Sequence, residues 1–454
     1  MTINIIEGNP TKKFFIEMIT RDISIEDAII DLLDNSIDGA NRINQNDYSN
    51  LYIDLTVNGN EFIIRDNCGG FSLETAQKYA FRFGRPDNAP RMHNNTVGRF
   101  GIGMKRSLFK IGKIFAIETK CKYDHFKVDV DVERWEHKKQ IVTLEDNVTT
   151  EIDDWSFIYS DVDDNQNLSS DGTFIKVTHL NEEVKDLFSD SRFISSLAND
   201  IQRLLNFSLL KGLKITLNNS ILEGERVELL LSQTCQPYYL DGRLNDVSYR
   251  IIAGLGDIGE PKKSGWYIYC NDRLVVEAEQ SSITGWGTSS VRKWHPDLVM
   301  FRGIVYFDSE ETFNLPLTTT KKGVDTTSDV YKAALPYMKE AMLYVIDFLR
   351  QVTKMGDEAN SYRQSLCENM IKYSAVELKS MQFVQNGISH NQRFFLPPEL
   401  DEDIISQKKN TVRISYDANK KIADIAKTYA DASSYKELGS TTFDYYTKME
   451  GIEE

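Results

Sequence analysis

The sequence predicts an α+β fold built from more than one domain. Three observations carry this expectation. Residues 24–42, SIEDAIIDLLDNSIDGANR, have helical hydrophobic spacing. Residues 51–57 (LYIDLTV) and 61–65 (EFIIR) alternate with a two-residue period, and Asn58-Gly59 between them is a hairpin signal. At 454 residues the chain is also longer than a usual single domain.

The helix comes first because the later stretches add to it. Ser24, with Asp27 three residues on, reads as its N-terminal cap. Ile25, Ala28, Ile29, Leu32, Leu33, Ser36 and Ile37 recur at helical spacing, so one face should be buried. Asp31, Asn35 and Asp38 fall at i, i+4 and i+7, on one stripe of the same helix. A solvated face would mix in Lys, Arg and Glu, whereas this one aligns carboxylate, amide and carboxylate. From the helix alone, the solvated-face reading stays open.

Composition sets outer limits. The 41% hydrophobic and 27% charged content is that of an ordinary globular chain. No run approaches the roughly 18 to 20 apolar residues of a membrane span, and the first residues lack a signal-peptide pattern. Cys68, Cys121, Cys235, Cys270 and Cys367 are scattered, with no CxxC pair. That argues against a disulfide framework or a zinc site and for a reducing compartment, so a cytoplasmic location is expected. The formal charge of −15 argues against general attraction to nucleic acid and leaves a local basic groove open.

Upstream of the helix, residues 1–20 suggest a short strand at 3–6, a turn at Gly8-Asn9-Pro10 and a short helix. Downstream, the second hairpin strand runs into Asp66-Asn67-Cys68-Gly69-Gly70, a carboxylate at a strand end followed by paired glycines that let the backbone bend sharply. Residues 72–80 read as a short helix and 83–97 as a polar loop of lid length. The loop ends in GRFGIGMK, where Gly98, Gly101 and Gly103 ahead of a helix leave N–H groups free to face an anion and Lys105 adds a charge. It is not a Walker A motif, and no dinucleotide fingerprint is present. Residues 114–119, 126–132 and 141–144 read as strands of one antiparallel sheet, 161–171 as a surface loop, and Gly172-Thr173 opens another strand.

In order and spacing these stretches resemble the ATP-binding domain shared by gyrase, the heat-shock ninety chaperones, histidine kinases and MutL, the GHKL or Bergerat-fold family. The helix resembles the N box, residues 66–70 the second motif, 98–105 the lid motif and Gly172-Thr173 the fourth. VGRFGIGMKRS and the preceding YAFRFG are most similar to the lid of MORC-type ATPases. The resemblance implies a Bergerat α/β sandwich over residues 1–185 that takes ATP with Mg²⁺. Asn35 would coordinate Mg²⁺, Asp66 would accept from the adenine amino group, and Gly70 would let the base lie against the backbone. Gly98, Gly101, Gly103 and Lys105 would hold the phosphates, Thr173 would support the adenine end, and Asp38 would back the adenine pocket. The general base, four residues before the Mg²⁺ asparagine, is usually Glu in this family and here is Asp31, one methylene shorter, which implies slower turnover. Cys68 takes the place of a glycine in the second motif and is expected to be a small buried residue.

Residues 265–276 (GWYIYCNDRLVV) read as a hairpin turning at Asn271-Asp272, and 301–307 as a further strand. NLPLTTTKKGVD, residues 314–325, resembles the loop of a ribosomal S5-like transducer domain, expected over 186–350, whose lysine reaches the γ-phosphate. Lys321 fits that position best and Lys322 is the fallback, with two solvated lysines in a turn as the alternative. Residues 331–350 form an expected long helix with Leu335, Met338, Met342, Val345 and Leu349 on one face. A mainly helical extension is expected over 351–454, with a linker at 392–403, a short strand at 412–416 and two helices beyond it.

The resemblance therefore implies an ATPase in which lid closure and docking of Lys321 drive an ATP-dependent homodimer through residues 1–20. Its output would be a clamp acting on DNA or on a partner effector, with bacterial anti-phage defence as an analogy only. A nucleotide-gated scaffold with little turnover stays open because of Asp31. A sensor kinase lacks a phospho-acceptor histidine before the N box, and a chaperone lacks its client-binding regions.

Overall fold

The computed structural model describes residues 10–84, 102–143, 149–164, 166–258, 261–288, 290–318, 321–383 and 414–452. The expected strand at 3–6, Gly98, Gly101 and the linker at 392–403 lie outside these residues.

Helix α1 (Lys12–Arg21) leads into α2 (Ile25–Ile43), which starts where Ser24 Oγ accepts from the Asp27 amide at 3.2 Å. The apolar spacing of α2 buries its inner face against a sheet of eight strands: β1 (Tyr52–Asn58), β2 (Glu61–Asp66), β3 (Gly112–Lys120), β4 (His125–Asp131), β7 (Tyr159–Asp161), β8 (Gly172–Leu180), β9 (Lys214–Leu217) and β10 (Ser220–Leu222). Their order is β10-β9-β1-β2-β8-β3-β4-β7, antiparallel throughout except that β1 and β9 run parallel. The sheet that carries α2 thus continues to Leu222, past the residue-185 division expected from sequence.

Two local expectations need correction. Strand β5 (Lys139–Thr143) does not join β3 and β4; it pairs only with β6 (Thr149–Asp153) in a separate two-stranded sheet. The apolar alternation at 141–144 does not say which sheet a strand enters. The β1–β2 turn also falls one residue later than expected, at Gly59 and Asn60, because Asn58 is still paired with Glu61. The Asn58 side chain supports this turn by accepting from the Asn60 and Glu61 amides at 2.9 and 3.2 Å.

The second sheet has the order β15-β14-β16-β13-β11-β17, with β12 paired to β13. Its strands are β11 (Glu228–Leu231), β12 (Tyr238–Leu244), β13 (Val247–Leu255), β14 (Gly265–Cys270), β15 (Arg273–Glu279), β16 (Phe301–Asp308) and β17 (Ile371–Ser374). Asn271 and Asp272 join β14 to β15 with φ of 46° and 66°, the left-handed conformation that a two-residue hairpin turn demands. Helix α4 (Asp329–Lys354) packs on β12, β13 and β16, with Met338, Met342, Val345 and Leu349 buried and Leu335 half-buried.

A separate unit holds the helices Lys420–Tyr429 and Tyr435–Met449, as the periodicity predicts, but residues 414–416 form no strand. No helix among the described residues is long and apolar enough to cross a membrane, and all five cysteines are unbridged.

Helix α2 approaches the Asp66–Gly70 turn so closely that a Cβ at Gly39 would lie 2.4 Å from the Cys68 carbonyl oxygen. Gly39→Ala should therefore cost roughly 1–3 kcal/mol, because neither backbone can yield without moving the other. Gly439→Ala, where an added Cβ meets nothing within 4 Å, should be neutral or stabilising. Urea unfolding of both variants checks the contrast.

Candidate functional site

From Ala28 to Asn41, helix α2 is buried at every residue but one, Asn35. The helical period sets Asp31 one turn before this opening and Asp38 one turn after it. The expected stripe is real, but it borders a single window in a buried helix and is no solvated face.

Beneath α2, Asp66 ends β2 in full burial. Its Oδ2 accepts from Ser36 Oγ at 2.6 Å, and its Oδ1 accepts from the Cys68 and Thr173 amides at 2.9 and 3.1 Å. Burial pushes this carboxyl above the ordinary carboxylate range, against the pull of Ser36 and the two amides. The strand register explains the meeting of motifs far apart in sequence, since Asp66 pairs with Thr173 across β2 and β8. Gly70, at φ 58°, sits where a Cβ would lie 2.2 Å from the Lys120 carbonyl, so only glycine fits the turn. Cys68 is buried, and burial pushes its thiol up, as suits an inert packing residue.

Above the window, the carboxylates of α2 meet cations from other elements. Helix α3 (Gly103–Ile111) brings its first residue against Asp31, where a Cβ on Gly103 would stand 3.5 Å from Oδ2. Arg106 on the same helix donates to that oxygen at 2.6 Å. Lys321, 290 residues from Asp31 in sequence, donates from Nζ to Asp31 Oδ1 at 3.1 Å and to Asp34 Oδ2 at 3.0 Å. Arg273 at the start of β15 also donates to Asp34 Oδ2. Lys322 instead reaches Asp27, at 2.8 Å, and is largely exposed.

Burial alone would raise the Asp31 carboxyl, but Lys321 and Arg106 outweigh it and hold the group below its ordinary value of 3.8. Burial lowers Lys321, against the opposing pull of Asp31. The Lys105 ammonium is also buried, and burial lowers it to about 7. Its Nζ donates to the Ala80 carbonyl at 2.6 Å and lies 5.5 Å from the Phe83 ring centroid.

The structure thus brings Lys321 and Gly103 to Asp31 and joins Asp66 to Thr173 and, through Ser36, to the helix that carries Asn35 and Asp38, with Gly70 in the turn after Asp66, whereas the Lys105 ammonium is directed to Ala80. Sequence reasoning missed Asp34, Arg106 and Arg273 and counted Ser36 only as part of the apolar stripe. Asp34 had a signal, since it lies three residues from Asp31 on the buried side of the helix. Arg106 and Arg273 had none, because their partners are 75 and 239 residues away.

The Asp31 pairings have a pH signature. A carboxyl with a folded pKa below its unfolded value adds stability above about pH 5 and loses it as pH falls through the folded pKa. The difference in unfolding free energy between wild type and Asp31→Asn should accordingly stay flat from pH 7 to about 5 and shrink below about 4. Urea titrations at each pH measure it; a difference that grows on acidification would show that Asp31 is not held ionised by its partners.

A search of curated proteins finds no match to this chain. Residues 23–160 match the family model described as histidine kinase-, DNA gyrase B-, and HSP90-like ATPase, a match that covers α2, the Asp66–Gly70 turn and α3 and supports a GHKL-type, ATP-binding domain in this part of the chain.

Proposed function

We propose that this protein is a Mg²⁺-dependent ATPase of the GHKL type in which a lysine from a transducer-like second sheet region senses the terminal phosphate. The observation that carries the reading is the delivery of Lys321 to Asp31 and Asp34, beside the exposed Asn35. The residues fit the ligands. Asp66 has accepting capacity left after its three hydrogen bonds and can take an adenine amino group, with Thr173 and Gly70 shaping that end and Asp38 behind it. The Asn35 amide oxygen is the accessible hard ligand on α2 for Mg²⁺, which when bound would neutralise phosphate charge. Gly103 and the lid residues Gly98 and Gly101 would face the phosphates through their amides, with Lys105 released from Ala80 to join them.

In this reading Asp31 is the general base that orients and deprotonates water. Paired with Lys321 and Arg106 it is a weak base. Transfer of Lys321 from Asp31 to the terminal phosphate both completes charge stabilisation there and returns basicity to Asp31. Hydrolysis then times a conformational cycle: residues 1–185 as ATPase domain, 186–350 as transducer, 1–20 as strap of an ATP-dependent homodimer, and 351–454 as an extension that docks DNA or a partner effector. An anti-phage role remains an analogy.

Wild type should hydrolyse ATP only with Mg²⁺, and Asp31→Ala and Lys321→Ala should each lose about 10²-fold or more in kcat. Turnover assays with mass measurement in ATP and in ADP test this together with dimerisation. Tight ATP binding without turnover under any condition would replace the enzyme reading with a nucleotide-gated scaffold, and unchanged turnover in Asp31→Ala would remove Asp31 as the base.

A further inference from the structure

The two cations on Asp34 are held very differently. Arg273 follows a turn that is clamped on every side. Asn271 donates its amide to the Phe307 carbonyl at 3.0 Å, and its side chain exchanges hydrogen bonds with Ser309, each at 3.0 Å. Asp272 is paired with Lys211 at 2.7 Å and with Lys379 at 2.5 Å. Arg273 is itself 5% exposed, and among the described residues its buried Nε has no hydrogen-bond partner. Lys321, by contrast, has a φ of 57°, in the left-handed region that a non-glycine residue adopts only at a cost. Its amide donates to the Thr318 carbonyl at 3.0 Å.

We propose that Arg273 is a positioning residue for nucleotide sensing: it is the resident counterion of Asp34, and its presence there lets Lys321 leave. The inference rests on the ATPase reading and concerns a residue that reading does not use. Lys321 bridges two buried carboxylates, and moving it to a phosphate would strip both of a partner. An uncompensated buried carboxylate is costly, so Asp34 would retain the lysine if it had no other cation. Arg273 remains on Asp34 as Arg106 remains on Asp31, and Lys321 becomes the exchangeable member of the cluster. Arg273 acts through Asp34 and touches no reacting atom.

The test is the ratio of affinities for a non-hydrolysable ATP analogue and for ADP, read by calorimetry on the full chain, with kcat and KM measured in parallel. Wild type should prefer the triphosphate. In Arg273→Ala that preference should fall by roughly tenfold or more while the affinity for ADP moves less, and kcat should fall more than KM rises. Arg273→Lys, which keeps the charge, should retain most of the preference. Arg273→Ala combined with Asp34→Asn should recover it, because the carboxylate that traps Lys321 is gone. A purely structural role would instead lower stability and leave the triphosphate preference of the folded protein at its wild-type value, so urea unfolding of each variant is measured beside the affinities. Should Arg273→Ala fail to fold, Arg273→Lys and the double variant still decide. A double variant no better than Arg273→Ala, or an Arg273→Ala protein with the wild-type preference, overturns the proposal and leaves the ATPase reading intact. A wild type that binds neither nucleotide overturns the ATPase reading instead.

Discussion

The interaction on which the rest of the structure depends is the burial of two carboxylates, Asp31 and Asp34, within one turn of α2. Taking a carboxylate out of water costs several kcal/mol unless charge and hydrogen bonds are supplied where it lands. Helix α2 supplies none of them to these two groups. Their partners are Arg106 from α3 and, from beyond the first sheet, Lys321 and Arg273. The first sheet region is therefore electrostatically incomplete alone, and the second is joined to it through charge as well as through packing. Such pairs often make a fold no more stable than well-packed apolar replacements would, whereas removing one member of a pair is strongly destabilising.

A second, half-buried network lies at the same junction. Lys379 Nζ sits between Asp272 and Asp308, at 2.5 and 2.6 Å, while Lys211 joins Asp272 to the Gln45 carbonyl, which it reaches at 2.8 Å. This places a rigid turn beside α2, fixed to the segment that follows that helix and to the helix Ala375–Ser380. One rigid contact and one strained loop then converge on the same carboxylate. On the proposed reading both are needed, since two rigid contacts could not exchange and two loose ones could not hold the helix in register.

How far the sequence could be read follows the range of each interaction. The α2 helix, its cap, the β14–β15 hairpin and the two C-terminal helices were legible because period and turn chemistry are local. Asp66 and Thr173 could be linked only through family resemblance, and Lys321 likewise, since 290 residues of chain separate it from Asp31 and no periodicity records that meeting. Asp34 was overlooked because a carboxylate on the buried side of a helix breaks the pattern being searched for, and its burial makes sense only once Arg273 is placed. Strand β5 was assigned to the wrong sheet for the same reason: alternation fixes which side chains face a core but not which core.

Asp31 is one methylene shorter than the glutamate its position resembles, and its surroundings are correspondingly close. Gly103 brings the α3 backbone up to the carboxylate, and Arg106 and Lys321 engage both its oxygens. A glutamate with its longer reach would need α3 to stand farther off or would bend into the space above Asn35. The shorter side chain thus goes with a tighter cage, and a cage of two cations makes the group a poor base while it is closed. On the proposed reading, idle turnover is suppressed by the same ion pairs that support the fold, and the loss of Lys321 to a phosphate is the event that both reports the nucleotide and frees the base. Sensing and catalysis would then be one displacement seen from its two ends, and the slowness expected of an aspartate base would come less from its length than from the work of opening the cage.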